Sequence, residues 1–152
     1  MGVAGLNCGF ACTHSVQAVV QKVASVEYIR VFATSTTGEL WEVRRTAAGG
    51  SWSAPVSWGS PPTSITNFSP IGTAVTDTGQ LNVFVIDANS SSRQLWRRVF
   101  STLSADGPWE GLGQPVAGTC TAGGVCVDVP ILRGIFGPPV VAFVRGTDGH
   151  LW

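Results

Sequence analysis

The chain has 152 residues, enough for one domain with a buried core and too few for two well-developed ones. Nine Lys plus Arg balance nine Asp plus Glu, so no net field draws in nucleic acid or an anionic membrane surface. Charged residues form 12% of the chain, about half the usual share, whereas six Trp and nine Pro exceed expectation, so Ser, Thr, Gly and Asn must carry the polar surface.

Met1 to Cys12 lacks the basic start and long apolar run of a classical secretion signal, and the sequence leaves the compartment open. No run of about 18 apolar residues encodes a membrane span, so no membrane insertion is expected. Cys8 and Cys12 form one local pair and Cys120 and Cys126 another, with three possible connectivities. Their x3 and x5 spacings differ from the two-residue spacing of zinc knuckles. Structural or free thiols are therefore expected, rather than a zinc site completed by His14 or His150, and no metal or cofactor is expected elsewhere.

An apolar strand is expected over Ser15 to Val23, followed by a hairpin that runs from Ile29 through Gly38 to Leu40-Trp41, and then Trp52 in a Gly- and Pro-rich stretch. The same order returns: a strand over Pro70 to Thr76, a hairpin from Leu81 to Leu95-Trp96, and Trp109 in its own Gly- and Pro-rich stretch. A third round starts with Val127 to Ile135 and ends on a hairpin from Val140 to Leu151-Trp152. The three Leu-Trp pairs stand about 55 residues apart, within the period range of propellers and solenoids. Phe32, Phe84 and Phe143 share one position, Gly38 and Gly149 share another, and the middle copy carries an insertion around Asn89 to Ser92.

No 11-residue window has convincing helical periodicity, and the enrichment in Val, Thr, Phe and Trp favours strands, so the fold class is all-β. Four short antiparallel strands per unit describe a β-propeller blade; an ordinary sandwich is the rival. The expectation is one domain over residues 1–152, with blades at approximately 15–60, 69–118 and 125–152, two complete and the third partial. A propeller needs at least about four blades to close. Completion by a symmetric homo-oligomer, or by a longer chain of which this is a piece, are the two solutions, and both remain open.

The segment Phe143-Val-Arg-Gly-Thr-Asp-Gly-His-Leu-Trp152 resembles the blade repeat of bacterial propeller lectins of the Photorhabdus lectin type, with Phe32 to Trp41 and Phe84 to Trp96 as looser versions. The stretch from Ser15 through Ile29-Arg-Val-Phe32, followed by Glu42 and Trp52, is also similar to the fucose-binding propeller lectins of fungi and soil bacteria. In that second family an Arg on one strand, a Glu on the next and an aromatic platform hold the sugar. The resemblance covers most of the chain as blade pattern and implies Arg30, Glu42 and Trp52 as sugar-binding residues. The second copy departs from it, with Asn82 where Arg30 stands and Arg97 where Glu42 stands, and the third has Val141 and ends before the Glu position. At most one site per chain keeps that polar pair.

A monosaccharide presents hydroxyls around its edge and C–H patches on its faces, so its site needs a flat aromatic face and bidentate polar groups. Arg30 and Glu42 would supply donors and acceptors; the alternative is a cross-strand ion pair on a solvated sheet face. Trp41, Trp96 and Trp152, at one repeat position, are expected to pack between blades. Trp52, Trp58 and Trp109 sit beside turn-forming residues, where binding groups gather, and are expected as ligand platforms.

Arg44-Arg45 and Arg97-Arg98 fall in nearly the same phase of the repeat, but neighbouring strand residues point to opposite faces and make no phosphate-binding patch. Asp77, Asp87, Asp106 and Asp148 lie beside Gly or small residues, as turn chemistry requires, and no paired acids or Ser/His/Asp set stands out. The expectation is a multivalent carbohydrate-binding lectin, with fucose or a related monosaccharide bound between blades and glycans or glycoconjugates as partners. It is not expected to be an enzyme and has no catalytic residues. A structural or protein-interaction module is the alternative, and a truncated glycosidase a more distant one.

Overall fold

A computed structural model describes residues 16–35, 37–62, 71–86, 94–113, 131–132 and 141–142, and of the last two pairs only the backbone. Among these residues there is no helix; the secondary structure is ten strands, all paired antiparallel. Four strands form a first sheet: β1 (Val16–Val23), β2 (Val26–Thr34), β3 (Leu40–Thr46) and β4 (Val56–Ser57). Another four form a second sheet in the same meander: β5 (Ile71–Val75), β6 (Leu81–Ile86), β7 (Leu95–Phe100) and β8 (Glu110–Gly111). β9 (Ile131–Leu132) pairs with β10 (Val141–Ala142) as a separate ribbon. The all-β expectation therefore holds, and neither four-stranded sheet closes into a barrel. The insertion around Asn89 to Ser92, the four cysteines, His14, His150 and the third Leu-Trp pair lie outside the described residues.

Short hairpin turns set each register. Val23 pairs with Val26, which leaves Ala24 and Ser25 as a two-residue turn with positive φ at both positions (47° and 71°), the geometry whose twist suits a tight hairpin. Side chains without glycine's freedom occupy it, so the flanking ladder of eight residue pairs has to hold the strain. A different turn recurs at Ser35–Glu39 and Thr76–Gln80, each with a positive-φ glycine fourth in the turn and a hydroxyl at the first position accepting from the backbone N–H of the fifth, at 3.1 Å. The first turn joins β2 to β3, whereas the second joins β5 to β6, so the turn sequence is not tied to one step of the repeat.

Strand alternation gives each sheet two faces, and the register identifies them. Gln17, Val19 and Gln21 share a face of the first sheet with Tyr28, Arg30 and Phe32 and with Glu42 and Arg44. Ile71, Thr73 and Val75 share a face of the second sheet with Leu81, Val83 and Val85 and with Trp96, Arg98 and Phe100. These two faces pack together, and their core contains Phe32 and Leu40 from one side and Ile71, Leu81, Val83, Val85, Trp96, Phe100 and Trp109 from the other. Phe32 and Phe100 meet at 5.9 Å between ring centroids, and Trp58 sets its edge on Phe100 at 5.1 Å. Gly79 marks a close approach: its φ is 84° and a Cβ there would lie 3.1 Å from the Lys22 carbonyl, so glycine suits the hairpin where it lies against the first sheet.

Candidate functional site

Arg30 sits mid-strand on the packed face of the first sheet. The β2–β3 register pairs Phe32 with Glu42 and Arg30 with Arg44, so Arg30 and Glu42 are diagonal neighbours one step apart on the same face. A long guanidinium spans that diagonal and meets the carboxylate fork to fork: Nε donates to Oε1 and Nη2 to Oε2, both at 2.7 Å. Nη1 donates to Gln21 Oε1 at 2.5 Å and to the Thr102 carbonyl at 3.3 Å. The Trp58 indole N–H donates to Glu42 Oε2 at 2.7 Å. Gln21 then turns its amide to the second sheet, donating to the Gly79 and Phe100 carbonyls at 2.9 and 2.8 Å.

Aromatic rings close the layer. The Arg30 guanidinium carbon lies 4.6 Å from the Phe100 ring centre and 5.2 Å from that of Phe32, so the cation is held between two π faces as well as by its carboxylate. Arg44 adds a second charge at the rim, 3.6 Å from Glu42 Oε1, and donates to the Leu103 carbonyl at 2.7 Å. Arg30 is 0% exposed and Glu42 is 1% exposed. Neither therefore offers surface to a ligand as the two sheets are packed; their polar atoms are committed to each other, to Gln21, to Trp58 and to the second sheet. They do form a cross-strand ion pair, but in a sealed layer between sheets rather than on a solvated face.

The second sheet fills the corresponding positions differently. Phe84 pairs with Arg97 as Phe32 pairs with Glu42, which places Asn82 at the Arg30 position. Arg97 reaches across to Glu110 on β8, with Nη2 at 2.5 Å from Oε2, in a half-exposed pair. Asn82 is 1% exposed and its Oδ1 has no hydrogen-bond partner. The acid has moved one strand outward, and the buried position has lost its charge.

Of the residues singled out in the sequence, Arg30, Glu42 and Trp58 come together, whereas Trp52 and Trp109 do not join them. Trp52, half-buried, carries the Arg45 guanidinium 5.2 Å from a ring centre, and Trp109, 8% exposed and part of the core, carries that of Arg98 at 5.5 Å. Arg45 and Arg98 lie on the same side of their sheets, two residues apart along the ladder, since Val43 rather than Arg45 occupies the Arg98 register. The Nε atom of each is sealed from solvent without a hydrogen-bond partner, and burial lowers the Arg98 pKa from its ordinary value. Trp96 packs in the core at 8% exposure, while Trp41 at the same repeat position is half-buried; both indole N–H groups are buried without a partner.

Sequence reasoning overlooked Gln21 and Phe100, which complete the Arg30 cage, because nothing local links them to a residue on another strand or sheet. Arg45 and Arg98 were visible as members of the paired arginines, and their following tryptophans were visible too; the stacking was not. A shallow cavity of about 350 Å³ at the end of the first sheet, lined by Lys22, Ser25, Glu27 and Thr46 among others, includes none of the expected site residues. No protein-family model matches the chain, and no curated protein matches it either.

Proposed function

We propose that the protein is a non-catalytic carbohydrate-binding module built from propeller-blade units, with a monosaccharide seated on the tryptophans that flank its first sheet. The observation that carries this reading is Trp52: a half-exposed indole with the Arg45 guanidinium over it, next to the loop that leads to β4. Such a ledge combines an apolar plane for sugar C–H groups with fork-shaped donors for hydroxyls. Trp58 adds a second half-exposed indole whose N–H is already oriented by Glu42. Arg30 and Glu42 act in this reading as the support that fixes Trp58 and the neighbouring sheet, one layer behind the ligand. Fucose is the first sugar to try, since the resemblance of the repeat names it. A glycan array followed by titration with free fucose is expected to give weak single-site binding strengthened by valency; the absence of any bound sugar would remove the proposal.

A specific observation favours a second reading, a protein-interaction or self-association module. The outer face of the first sheet, with Val16, Ala18 and Val20 on β1 beside Ile29 and Val31 on β2, corresponds by register to the face that the second sheet buries. Val16 and Val20 remain 58% and 52% exposed. Another blade, supplied by a second copy in a homo-oligomeric ring, would cover that face as the first sheet covers the second. Light scattering that returns only a monomer at all concentrations would speak against the ring.

A further inference from the structure

We infer that the Arg45–Trp52 ledge selects acid-bearing sugars, with the carboxylate of a uronic or sialic acid taken by the guanidinium and the sugar ring by the indole. This rests on the carbohydrate reading above and adds the ligand's charge class to it. Among the described arginines, Arg30 is paired with Glu42, Arg44 stands 3.6 Å from the same carboxylate, and Arg97 is paired with Glu110. Arg45 and Arg98 lack any carboxylate among the described residues and instead lie on indole rings.

Their chemistry is unbalanced in a particular way. Each guanidinium is half-buried and has its Nε sealed, so part of its hydration is gone without a hydrogen bond in return. Arg98 lies on the packed face of the second sheet with Trp109 in the core, whereas Arg45 stands on the face of the first sheet turned away from the second, and its terminal nitrogens make no hydrogen bond among the described residues. A neutral hydroxyl accepts one or two ordinary hydrogen bonds there, whereas a carboxylate accepts two charge-assisted ones and neutralises the cation. The tryptophan beneath holds the fork in place, so little side-chain freedom is lost on binding.

The test is calorimetric titration of the intact chain with glucuronate and with methyl glucoside at low and high salt. Glucuronate is expected to bind at least about tenfold more tightly, with the advantage fading as salt rises. Arg45→Gln should remove that advantage; Arg45→Lys, which keeps the charge but loses the fork, should retain only part of it. Thermal unfolding of each variant identifies any that fails to fold, and Arg45→Lys stands in where Arg45→Gln does. Equal affinity for the two sugars, or an acid preference that survives Arg45→Gln, overturns the inference and leaves the carbohydrate reading intact. Binding of neither sugar overturns the inference, and the carbohydrate reading then stands or falls on the glycan array and the fucose titration.

Discussion

The two four-stranded sheets share an order of strands and a register, yet they use the same buried position in opposite ways. The first sheet places a charged pair, Arg30 and Glu42, in the layer between sheets and surrounds it with Gln21, Trp58, Phe32 and Phe100. The second has Asn82 there and moves its ion pair to the rim as Arg97–Glu110. A buried pair is costly to desolvate and severe to break by halves, while a rim pair contributes little. The comparison teaches that position in the repeat sets where a side chain lies, and its charge partners set whether it fastens the molecule or only decorates it.

The sharpest way to break the contrast is Glu42→Ala, which strands the Arg30 cation at 0% exposure and removes the acceptor of Trp58. A loss of about 3–5 kcal/mol in urea unfolding is expected. Replacing both partners, Arg30→Met with Glu42→Leu, should cost far less than Glu42→Ala alone, because no charge is then left uncompensated. Next in size is Gln21→Ala, which leaves the Gly79 and Phe100 carbonyls and one Arg30 N–H without a partner, for about 1–3 kcal/mol. On the second sheet the sign is expected to reverse. Asn82→Leu removes a buried acceptor that has no partner and should be neutral or stabilising by up to about 1 kcal/mol in the same measurement. Arg97→Ala, at the half-exposed rim, should change stability by less than about 1 kcal/mol, and a larger loss would mean that the two sheets are less different than their burial implies.

Much of the local structure was legible from the residues. The strand expected over Ser15 to Val23 is β1, the hairpin through Gly38 is β2 and β3, and the strand expected over Pro70 to Thr76 is β5, because apolar alternation and turn glycines act within a few residues of chain. The alternation that sends neighbouring strand residues to opposite faces is also observed: Tyr28, Arg30 and Phe32 share one face, and Trp41, Val43 and Arg45 lie opposite Glu42 and Arg44. The site was legible only in part. Arg30 and Glu42 could be placed on one face but not in one sealed layer, and Trp109 sat among loop-forming residues yet packs in the core at 8% exposure. Loop-like flanks mark where the chain turns, not which side of a ring the neighbouring sheet will cover.

By itself, then, the sequence determined the period, the strands and their two faces, since those follow from short-range geometry that every residue carries with it. The tertiary structure alone decided burial: Gln21 meets the Phe100 carbonyl across 79 residues and Arg30 meets the Thr102 carbonyl across 72. Such contacts arise when one sheet lies on another. That packing, which no local pattern specifies, sealed the Arg30–Glu42 pair between the sheets and left the stacked Arg45 on the face of the first sheet turned away from the second.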